Sequence, residues 1–437
     1  MRGMTGPDRA GAEAMEIGYR EMVRVFGRIG LLSFGGPAAQ IALMHRELVE
    51  TRAWLSEQRF LNALSFCMLL PGPEAMQLAT YAGWRLGGTR GGLLAGGLFV
   101  LPGAMVIVLL AALYSAFGQV PLVAALFLGI KATVIVIVIE ALIRVARKAL
   151  TSRLAYGLAA AAFLALFAFD LPFPLIIAGA ALAGALAMGR TSSDPAPARP
   201  AETGTLATIA LWLALWLLPV AALWLIAPES VMAEVALFFS KLAVVTFGGA
   251  YAVLAYMVQA VVGDFGWLDT GQMMDALGLA ETTPGPLILV TEFVGFMAGA
   301  GQGGLWGGVL AALITLWVTF TPCFLWIFAF APCVEWITHQ PRLGGALRGI
   351  TAAVVGVILN LSLWFGLNVL FADVARVDLG PARLWLPDMA TLNPGALVLS
   401  LIAAGLLIGR KLDLLLVLPL MAGAGAMWMG LIAPVFG

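Results

Sequence analysis

An internal repeat, interrupted by helix breakers, constrains this chain more than any other feature. Phe34-Gly35-Gly36-Pro37 is followed by Trp54-Leu55 and then by Pro71-Gly72-Pro73. Phe247-Gly248-Gly249, Trp267-Leu268 and Pro284-Gly285-Pro286 return 213 positions further on, and Arg28 and Lys241 keep that offset. Beyond them the offset becomes 220, matching Pro102, Pro121 and Gly129 with Pro322, Pro341 and Gly349. The chain is a duplication of a unit of about 120 residues, and each copy carries two breaker clusters inside apolar sequence.

The surrounding sequence decides the solvent. Of 437 residues, 62% are hydrophobic and 11% charged, against about 25% charged in soluble domains. Several apolar runs are long enough to cross a bilayer. The expected class is an all-α polytopic membrane protein of two homologous units, each combining broken or re-entrant helices with full transmembrane helices. Lys+Arg and Asp+Glu are equal at 24, so charge calls for no nucleic-acid partner. Met1 to Arg20 is polar and charged, without the apolar centre of a signal peptide, and the first hydrophobic segment is expected to insert directly. Cys67, Cys323 and Cys333 have no metal-type or redox spacing and read as small packed apolar residues. No metal or cofactor is expected.

Along the chain, residues 1–20 form a tail and 21–188 the first unit. A polar, proline-rich linker covers 189–204, an extra span 205–226, and the second unit 227–437. In the first unit four short arms precede the long spans: 21–36, 38–50, one from a Ser56 N-cap to Leu70, and Glu74 to Arg85. An arm of about 14 residues rises about 21 Å, and the hydrocarbon core is about 30 Å thick. Each pair of arms is therefore one kinked crossing or one re-entrant hairpin. Full spans follow at 89–117, 120–147, 153–169 and 172–188. The second unit repeats the plan, with broken arms over 232–300 and spans near 303–331, 341–371, 395–409 and 412–433.

Positive charge orients the spans. Arg144, Arg147, Lys148 and Arg153, with Arg85 and Arg90, mark cytoplasmic ends. Counting outward places Asp170 outside, the linker inside, and the start of the second unit outside, near Glu229 and Glu234. The Arg410-Lys411 loop then lies inside whereas its counterpart at Asp170 lies outside, so the two units are inverted. Inverted repeats are a common transporter architecture. His45, Arg46, Arg52 and Arg59 fall on the cytoplasmic side if the arms re-enter, and charge bias favours that reading.

Helix breaks in lipid are tolerated where protein or a water-filled cavity satisfies the freed backbone. The arms after Gly36-Pro37 and Gly72-Pro73 begin near the hairpin tips, and so do those after Gly248-Gly249 and Gly285-Pro286. A helix N-terminus carries roughly half a positive charge and free N–H donors, so four of them near one midplane suit a compact oxyanion. The competing reading is close helix packing at small residues. Arg28 and Lys241 stand six to seven residues before the paired glycines. They either compensate a dianion or snorkel to an interface. Lys131 either joins the site or pairs with a carboxylate. Glu281, Glu292, Glu74 and Glu140 lie in or near the apolar phase. The first three are candidates for carrying a proton, although Glu74 also fits a helix-dipole partner. Gln77, Thr282 and Thr283 offer neutral donors beside the tips. The tryptophans at 212, 216, 224, 326, 336 and 385 read as interface or packing residues. His45 and His339 are the only histidines, and no hydrolase or ATPase motif is present.

Taken together, Phe34-Gly35-Gly36-Pro37, Trp54-Leu55 and Pro71-Gly72-Pro73 with Gln77 resemble the N-terminal signature of the chromate transporter family in its long two-unit form. Gly278 to Pro286 and Phe293-Val294-Gly295-Phe296 resemble the C-terminal one. The resemblance covers about 24–370. It implies a secondary transporter of the bacterial inner membrane, exporting chromate with the proton gradient and conferring resistance, with sulfate as a related dianion. The partners implied are an oxyanion and membrane lipid; a homodimer is compatible. A passive channel for sulfate or another tetrahedral oxyanion is the alternative. Gln40 stands where many relatives have His, and Met68 and Glu292 stand where many have Gln.

Overall fold

A computed structural model describes residues 17–189, 205–247, 250–334, 340–380 and 382–432. Gly248 and Gly249, most of the tail and linker, Trp336 and His339 lie outside the described residues. Helix α1 spans Tyr19–Leu31, α2 Gly36–His45 with a π-helical continuation Arg46–Thr51, α3 Glu57–Cys67 and α4 Glu74–Phe117. The caps follow the sequence: the Ser56 hydroxyl accepts from the Arg59 amide, as expected. The α3 arm stops at Cys67 rather than Leu70, because the approach to Pro71 disfavours helical backbone. Leu69 and Leu70 instead donate to the carbonyls three residues back.

The helical run of α4 is not one rod. Gly87 and Gly88 have non-helical backbone, Gly88 at φ 62°, and beyond them the chain doubles back. Gly83 faces Gly91 and Ala95, and Gly96 faces Thr80, so residues 74–86 and 89–117 are antiparallel limbs. Tyr19 Oη lies 3.4 Å from the Gly87 carbonyl oxygen, and Gly30 rests on the backbone of Leu98. Helix α1 thus enters beside that turn, at a face called A here, and runs inward parallel to the second limb.

The arms re-enter. Phe26 of α1 meets Trp54 with ring centres 6.4 Å apart, beyond the far end of α2, and Arg28 lies 3.9 Å from Glu47. A continued crossing would carry Trp54 some 30 Å away, at about 1.5 Å per residue. Helix α3 starts beside the outer end of α2, where His45 bonds Glu57 at 2.7 Å, and goes in again; the first limb of α4 returns to face A.

After α5 (Pro121–Ala149), α6 (Arg153–Phe167), α7 (Phe173–Ala187) and α8 (Thr205–Ile226), the plan recurs in α9 (Val231–Val245), α10 (Ala250–Val258, continued by Gln259–Asp264), α11 (Thr270–Thr282) and α12 (Val290–Phe330). Phe239 meets Trp267 at 6.1 Å, the counterpart of Phe26 on Trp54. Gly304, at φ 59°, turns α12 back on itself, and Gly299 faces Gly307. Gly92 meets Phe328 and Gly96 meets Phe324, so the long limbs of α4 and α12 run antiparallel. The turn at Gly304 is therefore at the opposite face, B, and the units are inverted.

Helix α13 (Pro341–Leu370) leads to strands β1 (Val374–Leu379) and β2 (Ala382–Pro387), then to α14 (Pro394–Ala404, extended by Gly405–Gly409) and α15 (Leu414–Met427). The final hairpins are exchanged. Gly349 of α13 lies on Ala180 and Gly184 of α7, whereas Gly129 of α5 lies on Met421 of α15. Small residues at these crossings let backbones touch. The β-hairpin, with Val374 opposite Pro387 and Gly380 at φ 68°, is an addition to the expected all-α plan. Its apolar–polar alternation around Gly380-Pro381 is a strand signal.

Candidate functional site

The four hairpin tips meet in the middle of the molecule, and they meet across units. The Gly72 amide donates to the Thr246 carbonyl at 2.8 Å, and the Gly285 amide donates to the Ser33 carbonyl at 2.8 Å. Both pairs are related by the offset of 213, so the contact is one bond made twice about a pseudo-two-fold axis. The acceptor residues are fixed alike: Ser33 Oγ donates to the Ile29 carbonyl and Thr246 Oγ1 to the Leu242 carbonyl, each at 2.6 Å. Gly72 at φ 117° and Gly285 at φ 91° adopt backbone that L side chains rarely reach. Behind each tip stands the other unit's proline-broken helix, Gly103 against Pro284 and Cys323 against Gly72.

This geometry changes what several residues offer. The Gly72 and Gly285 amides are engaged between units and are not free donors. Thr282 and Thr283 donate to the carbonyls of Leu279 (2.7 Å) and Ala280 (3.1 Å) at the end of α11. Gln77 donates to the Pro71 carbonyl at 2.7 Å, and Gln40 to the Gly285 carbonyl at 2.7 Å. The side-chain oxygens of both glutamines are buried without a partner among the described residues. The first-turn amides of α2, after Gly35, Gly36 and Pro37, and of α4, after Pro73, have no intrahelical acceptor. With the two glutamine oxygens they leave polar groups on either side of the crossing. The region around Pro286 leads into a short 3₁₀ turn, Leu287–Leu289, before α12.

The matched cations lie on the inner arms and are both engaged. Arg28 faces Glu47, which also holds Arg52, and Lys241 Nζ sits 5.6 Å from the centre of the Tyr256 ring. Glu140 pairs with Arg144 at 3.0 Å, one helical turn on. Glu281 accepts from Tyr251 Oη at 2.9 Å. Glu292 is buried, and its Oε2 has no hydrogen-bond partner among the described residues. Glu74 opens α4, where it faces the helix dipole.

Lys131 has its carboxylate partner: Nζ lies 2.9 Å from Asp275 Oδ1, and Tyr114 Oη donates to Asp275 Oδ2 at 2.7 Å. Asp275 escaped the sequence reading. Its signal was a lone acid in the apolar run Met273-Met274-Asp275-Ala276-Leu277, the same criterion that marks Lys131. At the outer end of the first hairpin pair, His45 is flanked by Glu57 (2.7 Å) and Glu50 (3.1 Å) and edges onto Phe60. The hydrogen bond to Glu57 is the main cause that raises the imidazole above its ordinary range, with Glu50 adding to it.

A family profile described as "Chromate transporter" matches residues 20–185 and 233–429, one stretch in each unit. The chain belongs to the chromate transporter family. It is 35% identical to the chromate transport protein of Pseudomonas aeruginosa over 78% of this chain and 79% of that protein. It is 31% identical to a probable chromate transport protein of Synechococcus elongatus over 79% and 84%, and 29% identical to the chromate transport protein of Cupriavidus metallidurans over 85% and 87%. No solved structure matches the chain. Family membership and the long apolar helices make this a multi-pass membrane protein of a bacterial transporter type. The profile's two stretches coincide with the two units whose tips interlock.

Proposed function

We propose that this protein exports chromate, or a closely similar tetrahedral oxyanion, from the cytoplasm across the inner membrane as a proton-coupled secondary transporter. The observation that carries the reading is the reciprocal bonding of Gly72 to Thr246 and Gly285 to Ser33, in a chain whose relatives are named for chromate transport. It supports a substrate path at the crossing of inverted units, with face A cytoplasmic. Helix N-termini supply fractional positive charge there, and Arg28 and Lys241, from matched positions, supply whole charges along the two approaches. Glu292 is the best placed proton carrier: burying an ionised carboxylate without a partner is costly, and a bound proton removes that cost. Glu281 with Tyr251 is the second candidate. The units alternate in opening the path to either face.

Flux into proteoliposomes with chromate, sulfate and molybdate, under an imposed pH gradient, tests this. A proton-coupled carrier saturates and accumulates its substrate against a concentration gradient. A passive channel equilibrates it and no more. Absence of any oxyanion flux from protein shown to be folded in the bilayer would refute the reading.

A further inference from the structure

Inverted repeats call for equivalent contacts at the two faces, and here they differ. On face B, α10 packs on α13 and α11 packs on α5. The equivalent pairs on face A, α2 with α5 and α3 with α13, make no comparable contact. One helical face records the difference residue by residue. Met274, Gly278 and Glu281 of α11 are buried, with Gly278 against Ile130 and Val134 of α5. Their counterparts at the offset of 213 are Leu61 and Ser65 of α3 and Met68 just past its end, all exposed: Met68 is 53% accessible where Glu281 is 7%.

Face B also carries an ion pair between the units. Lys131 of α5 and Asp275 of α11 form their ion pair one turn from Gly278, and Tyr114 of α4 caps the second carboxylate oxygen. Two of these elements belong to the first unit and one to the second, so the cluster ties the units together. Its counterparts at face A are Thr351, Asn62 and Val334. Thr351 bonds the Leu347 carbonyl and Asn62 accepts from Gln58, each within its own helix. The repeat thus places an ion pair between units at one face and none at the equivalent positions of the other, where Arg348 of α13 instead donates to the Met188 carbonyl.

We propose that Lys131, Asp275 and Tyr114 are the gate that holds face B shut in this open-to-A arrangement, and that their separation is the step that opens the path to face B. The inference rests on the alternating-access reading above. A charged pair in an apolar interior is stable while joined, and either partner alone is strongly disfavoured unless water reaches it. Opening must therefore hydrate both groups together, which makes the transition a switch between two states. The three are positioning residues: they set which face is open and need not touch the oxyanion.

The test is accessibility rather than transport. In a background with Cys67, Cys323 and Cys333 replaced by alanine, Met274→Cys is probed with a membrane-impermeant maleimide applied to face B, and Ser65→Cys with the same reagent applied to face A. In the otherwise unchanged chain Ser65→Cys labels quickly and Met274→Cys slowly. Asp275→Asn should speed labelling at 274 by about tenfold or more, a shift of about 1.4 kcal/mol in the opening equilibrium, and slow it at 65. Lys131→Gln/Asp275→Asn, which leaves no orphan charge, should do the same, and Lys131→Asp/Asp275→Lys should restore slow labelling at 274. Unchanged labelling in the neutral double variant, or fast labelling at 274 before any gate substitution, overturns the gate. Labelling that shifts as expected in a protein with no oxyanion flux upholds the gate while the transport reading fails.

Discussion

Gln40 offers a sharp test of the central crossing. Its side-chain nitrogen donates to the Gly285 carbonyl at 2.7 Å, and the Gly285 amide donates to the Ser33 carbonyl at 2.8 Å, so one glycine of the second unit is held at both ends by the first. Gln40→Leu removes the donor and leaves a buried carbonyl unpaired, at a cost of about 1–3 kcal/mol. The same change also removes Gln40 Oε1, which is itself buried without a partner, and that relief offsets part of the loss. The net effect belongs at the low end, about 1 kcal/mol, or about fivefold in the local opening equilibrium. Gln40→His keeps an N–H donor and should stay within about twofold of the parent. Hydrogen exchange of a peptide covering 283–289, read by mass spectrometry in nanodiscs, measures it directly. Full protection in Gln40→Leu, or equal loss in Gln40→His and Gln40→Leu, would refute the role given to this amide.

Four further outcomes are expected. Lys241→Gln should weaken oxyanion binding by about 10- to 150-fold while Lys241→Arg retains part of it, as measured by equilibrium binding, because a charge-assisted bond contributes about 1.5–3 kcal/mol; Arg28→Gln should follow if both approaches serve one site. Gly129→Ala drives a methyl into the Met421 carbonyl and should lower thermal stability by about 1–3 kcal/mol, whereas Gly97→Ala, with open space around it, should be silent. The raised His45 value has a definite sign: its folded-state value exceeds the unfolded one, so the stabilisation is full below the ordinary imidazole value of about 6.5 and is lost as pH rises through the folded value. His45→Gln should flatten that alkaline decline in Tm. Cysteines at the exposed positions Glu50 and Asp264 should label from opposite sides of the membrane.

Much of this architecture is written in the repeat itself. Breakers at Gly35-Gly36-Pro37 and Pro71-Gly72-Pro73 located the tips, and arms too short to cross, with basic residues at their outer ends, favoured re-entry. What a repeat conveys is equivalence of positions; it does not say which copy touches which. The exchange of Gly72 and Gly285 across units, and the seating of α5 on α15 and of α13 on α7, depend on tertiary contacts between segments far apart in sequence. The engagement of the hydroxyl donors is hidden for a related reason. Thr282 and Thr283 look free in sequence, but a hydroxyl near a helix end readily bonds the carbonyl three residues back. Asp275 was legible in principle, since an acid within an apolar arm demands a partner and Lys131 was waiting for one.

The exchanged hairpins also bear on how the protein is made. Helices α6 and α7 leave the ribosome long before α13, whose Gly345 and Gly349 fill the groove along Ala180 and Gly184. Through most of synthesis that groove has no occupant from its own unit, and α5 likewise waits for α15 at the end of the chain. Assembly in the bilayer is thus completed only when the last helices insert, and a chain truncated before Met421 loses the seat of Gly129 in the first half. The same logic makes the two halves each other's template: cut within 190–204 and synthesised together, they should find one another without a covalent link, since the interface that joins them is the interior of the protein.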